Sequence, residues 1–224
     1  QPESVVGVFT TDAELKIKVW DNVLVRFTGV SLDEARGKQI HQLFPEIETR
    51  GLARKLETVL KNGNVEVLAP AFHRYLIPCP PQKPSARFEH MLQRTTIAPV
   101  LEDQSVVGVL VTIEDVTARV ERERELAGLL NNPDPDTRLS AAEALARADE
   151  IEDELNLVGA IGDTDWRVRQ SAVQGLAKRS APNAIQALLQ LLKEDHNNLA
   201  VLNSALQVLS MVEVETLPAL IEFL

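Results

Sequence analysis

His73-Arg74-Tyr75, followed by Phe88, Met91 and Gln93, is the grouping in this chain with the most capacity for chemistry. A guanidinium offers a fork of donors to a carboxylate or carbonyl, and aromatic side chains line apolar clefts. These six residues are the expected small-molecule site. Adjacent residues of a strand face opposite ways, so a purely structural core is the competing reading.

His41, His73 and His90 carry nitrogens able to ligate heme iron, and Cys79-Pro80 resembles the short Cys-Pro element of some heme-responsive proteins. Solvated or hydrogen-bonded histidines are the simpler account, so no cofactor is expected, with heme as the alternative. Asp134/Asp136 and Asp163/Asp165 invite a metal or acid–base reading. Asp134 precedes Pro135 and Asp165 precedes Trp166, however, so capping of helix N-termini is expected instead. No metal site is expected. There is no Ser/His/Asp constellation, zinc-ligand spacing or phosphate-cradling glycine loop. No catalytic residue is assigned and no enzyme is expected.

The elements that must position these residues are bounded by composition. The chain has 224 residues, 45% hydrophobic and 25% charged, which is ordinary for one or two globular domains. Its longest apolar stretch, Val106 to Ile113, is too short to cross a bilayer. The single cysteine, Cys79, has no partner for an internal disulfide, in keeping with a cytoplasmic location. Of the net charge of -10, residues 1–128 carry -2 and residues 129–224 carry -8, which disfavours nucleic acid as a partner. The chain opens on Gln1 and closes on Leu224 inside an apolar helical pattern, so a longer protein, with further repeats or an effector domain, is expected.

In the first half, Val5 to Phe9 and Leu15 to Trp20 read as strands. Asp21-Asn22 opens a helix over Val23 to Phe27 that stops at Gly29, and Ser31 with Glu34 forms a capping box for the next. Leu52 to Leu60 carries a helical apolar stripe ended by Asn62-Gly63. Strand-like runs follow at Val65 to Leu68, Phe72 to Ile77, Phe88 to Ile97 and Val106 to Ile113, joined by Pro78 to Pro84 and by Leu101 to Gln104.

Gly7-Val8-Phe9 with Asp12, Asn22, the run Phe27 to Lys38, Val107-Gly108 and Asp115-Val116-Thr117, in that order, resemble a PAS sensory domain over about residues 3–118. The resemblance implies an α+β fold, a five-stranded antiparallel sheet with short helices across one face, and a pocket between them for a small ligand or cofactor. It departs at Ala69 to Ser85, which is longer and richer in proline than the usual hairpin. The Asn-Cys-Arg-Phe core of flavin-binding members is absent, and the long helix lacks the histidine of heme-binding ones. Asp115, Val116 and Thr117 resemble the element through which such domains pass their signal to a downstream helix.

The second half repeats itself. Asp134 to Ala146 lies over Asp165 to Ala177 at an offset of 31, and Ser204 to Leu209 ends a looser third copy. Each unit has a first helix of small apolar residues, Ser140-Ala141-Ala142 or Ser171-Ala172-Val173, and a second with a large apolar stripe, such as Ile185, Leu188, Leu189 and Leu192, recurring at Leu217 to Leu224. These resemble bacterial HEAT-like repeats of the short type also found in phycobilin lyases, an all-α solenoid that presents surface to protein partners. Arg138 and Arg169 occupy matching positions, where a ladder with neighbouring aspartates is expected. Trp166, at a helix start, is the expected partner contact, with packing against the preceding repeat as the alternative.

The expected order is therefore a PAS domain over 1–118, a connecting signal helix over 119–130 and about three HEAT-like pairs over 131–224. The expected role is a sensor and adaptor: the first half perceives a small molecule or protein, and the solenoid binds a protein partner. A ligand-free scaffold that dimerises through its sheet is the alternative. No membrane contact is expected.

Overall fold

The computed structural model describes residues 5–148, 152–178, 182–194 and 198–211. The chain divides into two compact units, Gln1–Val120 and Glu121–Leu224.

In the first unit, β1 (Val6–Thr11) and β2 (Ile17–Trp20) form a hairpin, and β3 (Glu66–Leu68), β4 (Gln93–Glu102) and β5 (Ser105–Asp115) complete an antiparallel sheet of order β2-β1-β5-β4-β3. Placing β1 beside the last strand lets the intervening helices cross one face. These are α1 (Asn22–Thr28), α2 (Leu32–Ala35), α3 (Ile40–Leu43), α4 (Glu46–Thr49), α5 (Ala53–Asn62) and α6 (Pro70–His73).

Local chemistry sets their ends. Asp21 caps α1 by accepting from the Leu24 amide at 2.8 Å, while its other oxygen accepts from Val8 N at 2.9 Å, so one carboxylate ties helix to strand. Gly29, at φ 73°, ends α1 in the left-handed conformation that glycine adopts without a Cβ clash. Ser31 and Glu34 form the capping box of α2. Inward residues such as Phe9, Leu24, Ile47, Leu56, Ile97 and Val111 pack between the sheet and the helices.

The segment Phe72 to Ile77 departs from expectation. It is no strand: α6 ends at His73, Arg74 turns the chain at φ 59°, and Leu76 and Ile77 are buried in irregular backbone. β4 likewise begins at Gln93 and not at Phe88. The adjacent Leu76 and Ile77 are both buried while Phe72 is exposed, a pattern that does not alternate as along a strand.

The helix α7 (Thr117–Leu129) begins in the first unit. In the second unit, α8 (Pro135–Arg147), α9 (Glu152–Ala160), α10 (Trp166–Ala177), α11 (Pro182–Glu194) and α12 (Leu199–Met211) alternate as first and second helices of successive pairs. Asp134 caps α8 through the amides of Asp136 and Thr137, and Asp165 caps α10 through that of Arg167. The small residues do what their size allows. Ala141, Ala142 and Ala172 are buried, and a Cβ on Gly175 would lie 2.7 Å from the Ala146 Cβ, so α10 approaches α8 too closely for any larger side chain. Ile185, Leu188 and Leu189 are buried on α11. The recurrence at Leu217 to Leu224 lies outside the described residues.

Candidate functional site

The six residues from His73 to Gln93 reach different places. Met91 is fully buried in the core, and its amide donates to the Cys79 carbonyl at 2.7 Å. Phe88 is half-buried beside Leu92, Val116 and Val120. Arg74 is exposed.

Gln93 works as a structural pin. Its Oε1 accepts from the amides of Leu76 at 2.8 Å and Ile77 at 3.1 Å, and its Nε2 donates to the Ile77 carbonyl at 2.6 Å. Its own amide donates to the Arg74 carbonyl at 2.7 Å. The buried carboxamide thus stands in for the missing strand pairing of residues 74–77.

Tyr75 keeps company with His73, but the guanidinium beside them belongs to Arg50. Arg50 Nη1 donates to the Tyr75 carbonyl at 2.8 Å, Nη2 donates to the His73 carbonyl, and its Cζ stands 4.1 Å over the Tyr75 ring. The Tyr75 hydroxyl donates to Glu46 at 3.3 Å, and the His90 ring lies 5.1 Å away. Burial, with the negative charge of Glu46, pushes the Tyr75 hydroxyl pKa above its ordinary value. Arg50 has no local signal in the sequence, because its partners lie 23 and 25 residues downstream.

A further polar group faces this core unpaired. Thr95, two residues along β4 from Gln93, is 1% exposed, and its Oγ1 has no hydrogen-bond partner among the described residues. A buried hydroxyl in that state carries a desolvation cost.

Cys79 is buried in the core of the first unit, 1% exposed. Burial, with the nearby Asp115 charge, pushes the Cys79 thiol up to about 12. Among the described residues no cluster of three or more His, Cys, Asp or Glu side chains is placed to hold a metal ion.

Asp115, Val116 and Thr117 form one bonded junction where β5 passes into α7. Asp115 Oδ1 accepts from the Thr117 amide at 2.9 Å and hydroxyl at 2.6 Å, and Oδ2 accepts from Gln82 N at 2.8 Å. Thr117 Oγ1 accepts from Leu92 N at 2.8 Å, and Val116 N donates to the Leu92 carbonyl at 2.8 Å. Leu92 therefore links the start of β4 to the root of α7, and Asp115 ties in the proline-rich segment through Gln82.

In the second unit Arg138 and Arg169 are held alike. Each Nη1 donates to the carbonyls six and five residues upstream, Asn132 and Pro133 for Arg138, Asp163 and Thr164 for Arg169. Arg138 also clasps Asp163, which holds that carboxyl below its usual range, chiefly through the hydrogen bonds from the guanidinium. Trp166 is 66% exposed and borders a groove of about 210 Å³ between α10 and α12.

The pattern of the PAS fold matches residues 2–121, and that of HEAT repeats matches residues 123–210. No curated protein matches the chain. Among solved structures, a sensory box sensor histidine kinase from Vibrio cholerae is 21% identical at a TM-score of 0.41, covering 50% of this chain and 82% of that one. A PAS domain from Colwellia psychrerythraea is 17% identical at 0.38, covering 51% and 88%. A Rhodobacter sphaeroides LOV protein is 14% identical at 0.37, covering 93% and 89%. No helix among the described residues is long and apolar enough to cross a membrane. With its sheet order, helical face and repeated helix pairs in agreement with both patterns, the chain belongs to the PAS fold family and continues into HEAT repeats.

Proposed function

We propose that the chain is a non-catalytic sensor and adaptor, divided into a PAS domain over 1–118, a connecting helix over 119–130 and a HEAT-like solenoid over 131–224. The PAS domain takes up a small ligand or protein signal, and the solenoid docks a protein partner. The bonded junction carries this reading. Thr117, 1% exposed, is held at once by Asp115 and by the amide of Leu92, whose neighbour Gln93 pins residues 76 and 77. A displacement of the segment 74–92 would pull on the first turn of α7. That helix starts with Val120 packed in the first unit and ends with Leu126 packed in the core of the second. His73, Tyr75 and the unpaired hydroxyl of Thr95 are the groups offered to a signal, with Asp115, Val116 and Thr117 as its relay.

Hydrogen exchange on the intact chain tests the relay without knowledge of the ligand. Thr117→Ala, which removes both side-chain bonds, is expected to alter amide protection along α7 and into α8 and α10. The same substitution with two glycines inserted after Gly128 should confine the change to the first unit. Protection in Thr117→Ala that changes no further than Val120 would defeat the relay.

A further inference from the structure

We propose that the groove between α10 and α12 binds an extended peptide segment of a partner protein through an aspartate or glutamate side chain, which Arg169 receives. This rests on the reading of the solenoid as a docking unit and names the chemistry it recognises.

The chain contains its own worked example of the clamp. Arg138, anchored by Nη1 to two loop carbonyls, turns its Nε and Nη2 edge to a carboxylate: Nε to Asp163 Oδ2 is 2.7 Å and Nη2 to Oδ1 is 2.9 Å. That is the bidentate fork in which planar geometry matches carboxylate geometry. Arg169 repeats the anchoring one helix pair on, with Nη1 on the carbonyls of Asp163 at 2.7 Å and Thr164 at 3.1 Å. Among the described residues nothing accepts from its Nε or Nη2. Arg169 lines the groove, and among the described residues of its lining it is the one cation and none is a carboxylate. In a half of the chain whose net charge is -8, such a spot selects locally for an anion.

The remaining walls fit a peptide rather than a metabolite. A volume of about 210 Å³ is below the roughly 300–1,000 Å³ of small-molecule clefts and suits one or two side chains. Gln170, Asn203 and Gln207 line it with carboxamides that make no hydrogen bond among the described residues. A carboxamide both donates and accepts, as does each peptide unit of an extended chain. Trp166 closes the groove with a largely exposed ring, a flat apolar surface for the residue next to the acid.

The test uses the intact chain and three pools of N-acetylated, C-amidated hexapeptides, randomised except for a central Glu, Gln or Lys. Trp20 is 3% exposed, so a change in indole emission reports Trp166. The Glu pool is expected to bind, with peptides selected from it losing about tenfold in affinity on Glu→Gln exchange. Arg169→Lys keeps the charge and loses the fork, and should weaken binding by a similar factor. Gln207→Glu leaves the loop carbonyls untouched, so the thermal midpoint should hold while Glu-pool binding is abolished. Equal retention of the Gln or Lys pools, or affinity indifferent to both Gln207→Glu and Arg169→Lys, would overturn the proposal. So would binding that appears only in Asp195→Asn, since the chain would then be filling its own clamp. Asp195 lies outside the described residues. None of these outcomes bears on the exchange experiment for Thr117, so the clamp and the relay stand or fall separately.

Discussion

Arg138 and Asp163 lie 25 residues apart and face each other through two parallel hydrogen bonds, with side chains only 12% and 9% exposed. The same carboxylate accepts from the amide of Asp165, which caps α10. One pair therefore joins the first helix of one repeat to the loop that starts the next.

The pair makes stability depend on acid. The Asp163 carboxyl titrates below the ~3.9 of an unfolded chain, because Arg138 bonds its charged form. Its contribution is complete above about pH 4 and disappears as pH falls through the lower folded value. Asp163→Asn should lose about 2 kcal/mol at pH 7, a typical figure for a bond to a charged group. Urea unfolding followed by helical ellipticity at pH 7 and pH 2.5 checks this: the gap between the two proteins should narrow at the lower pH.

Gln93→Leu should be costly out of proportion to its size. It strands the amides of Leu76 and Ile77 and the carbonyl of Ile77 in a buried setting. At ~1–3 kcal/mol for each group left without a partner, partly relieved by water, a loss of about 3 kcal/mol is expected. Denaturant unfolding measures it. Limited proteolysis should then cut first between residues 74 and 92.

Thr95→Val should go the other way. The substitution keeps the shape and removes a buried hydroxyl that has no partner among the described residues. A gain of about 1 kcal/mol is expected in the absence of ligand. The same variant should respond less to any ligand that uses the hydroxyl, a combination that calorimetry with and without ligand can read. A loss of stability in the ligand-free protein would contradict the orphan assignment.

Two glycines in helices should give opposite results on replacement by alanine. At Gly175 the new Cβ meets the Ala146 Cβ at 2.7 Å and Leu157 Cδ1 at 2.9 Å, so overpacking by ~1–3 kcal/mol outweighs the better helix propensity. At Gly128 nothing lies within 4 Å, and α7 should gain roughly 0.5–1 kcal/mol. Thermal melts of the two variants settle the signs.

Features that depend on a few neighbouring residues were legible in the chain itself. Asp21, Ser31 with Glu34, Asp134 and Asp165 cap helices because their oxygens lie within one turn of the amides they accept, and Gly29 ends α1 because it lacks a Cβ. The repeat offset announced helix pairs, since units that bury their faces only on neighbours must resemble one another. What tertiary structure decided was the path of residues 72–92 and the company of each polar side chain. Tyr75, Leu76 and Ile77 belong to a strand-like run, yet they are held by Gln93 and Arg50, partners 16 to 25 residues away that no local spacing reveals. Likewise Arg138 and Arg169 are equivalent in sequence and anchored alike, and only the packed helices show one filled by Asp163 while the other borders a groove. Long-range hydrogen bonds cost chain entropy to close and leave no periodic trace, so they can be seen only once the chain has folded.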